Sequence, residues 1–316
     1  MLNKYSTFII SIFTATLLFF SNANAGVKVV ASIKPIHSLV SYVMDGVGKP
    51  SIIVDGSNSP HNFNLKPSNA KDIENADIIF WVGEDIESFL EKPLKSISKK
   101  AKVIEMMDIK GINKLKFRER NIFEEHEEHD DHGHGKKDKH DDHGHGHAHG
   151  EYDPHIWLDP HNAEVMVEEI ANQLAAIDPQ NAAAYKKNSK NAIEDIEKLI
   201  KETKKDMKKG ISYIVFHDAY QYFEKEFNVS ALGALTLNTD VAPGAKQISE
   251  IKEIIEHENV KCLFSEPQFN PDIIKSIAKG TNVKVGVLDP LGANLENGKE
   301  LYFKLIKDIS SSLKKC

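Results

Sequence analysis

Two cysteines, Cys262 and Cys316, are all the chain possesses in 316 residues, so it can form at most one internal disulfide. Basic residues are not gathered into a stripe. Forty Lys plus Arg stand against 47 Asp plus Glu, a net charge of −7, which argues against a protein that tracks phosphate backbones and makes nucleic acid an unexpected partner. Past residue 20 no apolar run is long enough to span hydrocarbon, which takes about 20 residues as a helix. No HExxH element occurs, so a metallohydrolase has no general base of that kind.

What is present begins with a leader. Lys4, the apolar run Phe8 to Phe20 and Ala23-Asn24-Ala25 before Gly26 form the pattern of a cleaved secretory signal peptide over residues 1–25. An uncleaved anchor is the competing reading, but the 13-residue run is short for it, and no cysteine at the cleavage point offers a lipid acceptor. The mature chain is expected to be soluble and exported. In an oxidising compartment Cys262 and Cys316 can pair, which in the chain-entropy model contributes about 4 kcal/mol and pins the C-terminus to the strand bearing Cys262. A buried thiol and a frayed terminal one are the alternative.

A hydrophobic content of 41% with 28% charged residues marks a globular chain, and its length suggests two domains, since single cores stop growing near about 250 to 300 residues. Short β-rich runs at Lys28 to Ile33, Ser51 to Val54, Asp77 to Val82 and Lys102 to Ile104 alternate with helical spacing. Pro35 and Pro67 stand where helices would start. A second series follows at Tyr213 to Phe216, Val229 to Leu235, Lys261 to Phe264 and Val283 to Leu288, with helical stretches such as Ala245 to His257 between. This pattern predicts two α/β lobes with parallel-type sheets, at residues 26–177 and 210–316. Asp178-Pro179 opens and Gly210 closes a helical stretch over residues 178–209, about 45 Å long if continuous. It reads as a rigid strut joining the lobes, or else as a long surface helix within one of them.

Histidine is the unusual excess. Of 15 copies, nine fall between residues 126 and 149: His126, His129, His132, His134, His140, His143, His145, His147 and His149. Residues 124–149 otherwise hold nine Asp or Glu, three Lys, four Gly and one Ala, and carry −6 with histidine neutral. Such a stretch cannot offset its ordering entropy by burial, so a disordered insertion is expected, with weak multiple metal binding as collector or sensor set against a solvated spacer.

Among the other histidines, His61 lies in the turn-rich stretch after the strand ending at Val54, His217 follows the strand Tyr213 to Phe216, and His155 stands where the chain re-enters the fold after the insertion. Asp289 follows the strand Val283 to Leu288. Ligands of open α/β sheets bind beyond the carboxyl ends of strands. Singly each histidine is most simply a structural residue. Together His61, His155, His217 and Asp289 form a four-ligand set suited to tetrahedral zinc, whereas manganese or calcium would want more oxygen donors. Asp218 and Glu266 are candidates to orient these ligands. His37, His161 and His257 belong to ordinary helices.

The runs Pro60-His61-Asn62-Phe63-Asn64-Leu65-Lys66-Pro67-Ser68, His155-Ile156-Trp157-Leu158, Phe216-His217-Asp218-Ala219-Tyr220, Ser265-Glu266-Pro267-Gln268 and Leu288-Asp289-Pro290-Leu291-Gly292 resemble the periplasmic zinc-binding proteins of high-affinity zinc ABC importers, the ZnuA type. The resemblance covers essentially the whole mature chain. It implies two lobes joined by a long helix, a monomer in the periplasm, Zn2+ as transported ligand in the cleft, and delivery to a membrane permease driven by a cytoplasmic ATPase. It implies His61, His155 and His217 as ligands, with Asp289 or water fourth. Manganese-binding relatives place a glutamate where this chain has His217, and the acidic residue some relatives carry before the first histidine is here Pro60. Cys262 and Cys316 match the disulfide positions of similar zinc proteins. A zinc-dependent hydrolytic enzyme and an adhesin stabilised by a structural metal are the competing functions.

Overall fold

The computed structural model describes residues 26–123, 150–237, 239 and 243–316. The leader at 1–25 and the histidine tract at 124–149 lie outside the described residues.

The first lobe is laid down as β1 (Val29–Ile33), α1 (Lys34–Val43), β2 (Ser51–Val54), α2 (Pro67–Asn75), β3 (Ile78–Trp81), α3 (Ser88–Ser96) and β4 (Lys102–Glu105). Its strand order is β2-β1-β3-β4, every pair parallel. Central strands β1 and β3 are buried throughout and read as unbroken apolar runs, as strands covered on both faces must. Proline fixes the first turn of α1 and of α2, where the missing N–H has no helical partner to lose. Two helices follow, α4 (Pro160–Ile177) and α5 (Ala182–Asp206), separated by a 3-10 turn at Pro179–Asn181.

The second lobe repeats the plan with β5 (Tyr213–His217), α6 (Gln221–Phe227), β6 (Gly233–Thr236), α7 (Ala245–His257), β7 (Cys262–Ser265), α8 (Asp272–Ala278) and β8 (Lys284–Val287), in the parallel order β6-β5-β7-β8. In both sheets the strand order reverses between the first strand and its third, which opens a crevice at the carboxyl ends. The strand expected from Val229 begins only at Gly233. Helix α6 ends on Asn228 in the left-handed region (φ 53°), and the turn that follows carries the chain to the sheet edge. There residues 121–123 pair antiparallel with β6, and a Cβ on Gly233 would meet the Asn121 carbonyl oxygen at 2.5 Å, so the close approach requires glycine.

Helix α9 (Leu301–Lys314) returns across the molecule to pack on α1 and α5, and Cys316 just beyond it is bonded to Cys262 of β7. One apolar core runs from β1 and β3 through α4 and α5 into β5 and α9, so the two lobes share it. Alternation along β5 divides the work: Tyr213 and Val215 join this core, while Ile214 and Phe216 face a smaller one under α7 and α8.

Candidate metal centre

His61 sits on the loop between β2 and α2, in a turn where its backbone N–H donates to Ser59 Oγ (3.3 Å). Phe63, two residues on, is buried against Phe89 with ring centroids 5.2 Å apart and so anchors the loop. His155 precedes a 3-10 turn, Ile156–Leu158, whose three side chains have no exposure at all. His217 is the last residue of β5, the central strand of its sheet. The three rings come from both lobes and converge with centroids 5.2 to 5.7 Å apart. One ligand nitrogen from each lies within 4.8 Å of the others.

Hydrogen bonding fixes which nitrogens are available. His155 Nδ1 is 2.6 Å from Asp153 Oδ1, and His217 Nδ1 is 2.7 Å from Glu266 Oε1. Burial pushes the Asp153 carboxyl up to about 6, still below neutrality, so at neutral pH it is ionised and can only accept. His155 Nδ1 therefore donates to it, and His155 Nε2 is left with an unshared pair. The Nε2 atoms of the two rings face each other at 3.3 Å. His217 Nε2 can hold a proton in that gap, donated to His155 Nε2, and a metal ion that took the proton's place would meet both nitrogens. A tetrahedral zinc with Zn–N of about 2.0 to 2.1 Å places its nitrogens about 3.3 to 3.4 Å apart, so the pair already has the edge length of a zinc site.

Both imidazoles are 3% exposed. Burial, and after it the charge on His217, hold His155 well below its ordinary value, so it stays neutral. Burial also lowers His217, but Glu266, Asp218 and Asp153 outweigh it and the net effect is a raised value. Protons and metal thus compete at His217 and not at His155. Pro60, Ile86, Trp157, Phe269, Pro290 and Leu291 wall the cavity beside the rings, which has room for roughly one water-sized body. The space beside the rings suits an inorganic ion.

Asp289, the expected fourth donor, is not among the clustered donors. Its Oδ1 accepts from the backbone N–H of Leu291 and Gly292 (both 3.0 Å) and from Gln268 Nε2 (2.9 Å), and its Oδ2 accepts from the Ala293 N–H (2.6 Å). The carboxylate shapes the loop that follows β8. Asp218 does not orient His217 either. Arg118 Nη1 takes it at 2.6 Å, with Nη2 reaching Glu224 at 2.6 Å, and Glu266 orients the imidazole instead. His37 lies on α1 and accompanies the Pro50 carbonyl, His257 ends α7, and His161 stands in the first turn of α4 between Glu164 and Glu226.

Asp153 and Arg118 were not foreseen. Asp153 has a local signal, because an aspartate two residues before a histidine can accept that residue's own backbone N–H, as it does at 3.0 Å. Arg118 has none, being 100 residues from its partner Asp218.

The model of the family described as zinc-uptake complex component A, periplasmic, matches residues 29–316. The high-affinity zinc uptake system protein ZnuA of Brucella abortus is 45% identical over 335 aligned residues, taking in 100% of this chain and 99% of the relative. The protein of the same description from Yersinia pestis is 35% identical over 298 residues, 92% of each chain. Among solved structures, a crystal structure of ZnuA superposes with a TM-score of 0.72 at 22% identity, covering 91% of this chain and 99% of that one, a likeness of fold. A mutant of the laminin-binding adhesin Lmb from Streptococcus agalactiae gives a TM-score of 0.71 at 25% identity, covering 91% of this chain and 100% of that one. With a family model spanning nearly all of the chain and relatives aligned from end to end, this protein belongs to the family of periplasmic zinc-uptake component A proteins.

Proposed function

We propose that this protein is the zinc-binding component of an ABC importer, that His61, His155 and His217 take Zn2+ from solution into the cleft, and that the loaded protein passes it to a membrane permease coupled to an ATPase. The observation that carries the site is the convergence of three imidazoles, two of them held by Asp153 and Glu266 with their Nε2 atoms 3.3 Å apart, the edge length of tetrahedral zinc. Without metal a proton on His217 bridges those two nitrogens, and zinc takes its place. Family membership supplies the transport role. The small cavity speaks against a hydrolase, which would need room for its substrate.

On this reading residues 1–25 are removed on export to the periplasm, residues 26–177 and 210–316 form the lobes with 178–209 between them, and the protein works as a monomer. The tract His126 to His149 collects metal weakly and at several points. Chelator-competition titration of the mature protein beside His61→Ala, His155→Ala and His217→Ala tests the site. Each variant should lose most of the high-affinity step and keep only the weak binding of the tract. Tight binding retained in all three would remove the assignment.

A further inference from the structure

We propose that Gln268 positions the solvent molecule that completes the coordination of the bound ion, while its other arm keeps Asp289 engaged in its loop. The proposal rests on the three-histidine reading above. Gln268 lines the same cavity as His61, His155 and His217. Its Nε2 donates to Asp289 Oδ1 at 2.9 Å, which settles the orientation of the amide, because the opposite flip would set oxygen against a carboxylate. Its Oε1 is consequently turned away from Asp289. That oxygen is buried and receives no donor among the described residues.

A buried acceptor left unmet is costly, and most such atoms in folded proteins have a partner. The donor that meets it is a solvent molecule in the cavity Gln268 lines, and an ion held by the three histidines would take that molecule as its ligand. Three imidazoles leave one position of a tetrahedral ion open, and a metal-bound water is a strong donor. The ion sits about 2 Å from each nitrogen, nearer than a water could come, so it leaves the water-sized space beside the rings for that ligand. Asp289 meanwhile has both oxygens committed to three backbone N–H groups and Gln268, and withdrawing it would unmake the loop. Gln268 therefore keeps the site poor in oxygen donors, which favours a four-coordinate cation over one that wants several oxygens.

The test pairs zinc competition titration with the visible spectrum of the Co2+-loaded protein, which reports coordination number, in Gln268→Leu, Gln268→Glu and Asp289→Asn. Gln268→Leu should weaken Zn2+ binding about 10- to 100-fold, the usual effect of losing a group that holds a metal's ligand, and should alter the Co2+ bands. Gln268→Glu keeps an acceptor oxygen but loses the donor to Asp289 and sets a second carboxylate beside it, so it should bind zinc more tightly than Gln268→Leu while falling short of the wild type, a ranking a merely structural role would not predict. Wild-type affinity and an unchanged Co2+ spectrum in Gln268→Leu, with binding still lost in His217→Ala, overturn this proposal and leave the histidine site standing. A larger zinc loss in Asp289→Asn than in Gln268→Leu, with the Co2+ bands altered in Asp289→Asn and not in Gln268→Leu, overturns it in favour of carboxylate coordination. Retained tight binding in the histidine variants removes the reading beneath it.

Discussion

Replacing Glu266 by glutamine isolates what one buried carboxylate does for the metal. Glu266 is 2% exposed, and its Oε1 takes the His217 Nδ1–H at 2.7 Å and the backbone N–H of the same residue at 3.4 Å. In Glu266→Gln the side chain keeps its shape and loses two things. The ring loses an anionic partner that makes Nε2 a better donor, and the tautomer is no longer fixed, because an amide can offer Nδ1 either an oxygen or an N–H. Losing such a partner costs about 10- to 100-fold in metal affinity, or about 1.4 to 2.8 kcal/mol. The loss should depend on pH with a definite sign. Glu266 raises the proton affinity of His217, so in acid the wild type must shed a proton to bind zinc and the variant need not. Competition titration at a series of pH values should show the full deficit above neutrality and a shrinking one below about 6.5. His155, held low by burial, adds nothing to that slope. Equal affinity of the two proteins at pH 8, with both folded by circular dichroism, would refute the claim that Glu266 holds the ligand.

Three further perturbations follow from the packing. Glu87 is wholly buried, and burial pushes its carboxyl up to about 7 from 4.5, so the folded state prefers it protonated. Its stability contribution is complete below pH 4.5 and lost as pH rises through 7; Glu87→Gln should remove this roughly 3 kcal/mol of pH dependence, seen as a flatter profile of melting temperature from pH 4.5 to 8, and an unaltered profile contradicts it. Arg118→Ala strands the buried carboxylates of Asp218 and Glu224 and should cost about 3 to 5 kcal/mol in urea unfolding; a change under 1 kcal/mol would show that these charges are solvated after all. Reducing the Cys262–Cys316 bond, which spans 54 residues, should lower the unfolding free energy by up to about 4 kcal/mol, and identical denaturation curves with and without reductant would rule that out.

Much of the fold is visible in the sequence because its signals are local. Pro35, Pro67 and Pro160 mark helix starts, and each of the eight strands among the described residues falls within or at the edge of a β-rich run. The histidines could be placed for the same reason, since strand ends are local and the rule that sites gather there is topological. Their polar partners could be placed only in part: Glu266, just past the end of β7, meets His217 as its position suggests, and the others do not follow that rule. Asp218 was favoured by adjacency to His217, yet successive residues leaving a strand point to opposite sides, which delivers Asp218 to Arg118. Asp289 offered a carboxylate at the right strand end, but Asp-Pro-Leu-Gly is also turn chemistry, and the side chain serves the backbone of that turn. Gln268 could not be singled out, because an amide's importance lies in which neighbours its two ends meet.

The arrangement also constrains how the ion leaves. Lys34 at the head of α1 donates to the carbonyls of Ala293 (3.0 Å) and Leu295 (2.8 Å), and Ser38 one turn later donates to Gly298 O at 2.8 Å. Trp157, two residues past His155, donates to Pro290 O at 2.8 Å. Side chains of the first half of the chain thus grip the segment that follows β8, and beneath them the apolar core continues from one lobe to the other without a break. Swinging the lobes apart would strip those donors from buried carbonyls and wet a shared core, whereas domains move freely only across small polar interfaces. Of the three histidines only His61 is partly exposed, so on the three-histidine reading entry and release belong to the loop that carries it. If the three histidines hold the ion, a permease that draws zinc out needs only to shift that loop far enough to withdraw His61, which leaves fewer protein donors than the three of an open zinc site.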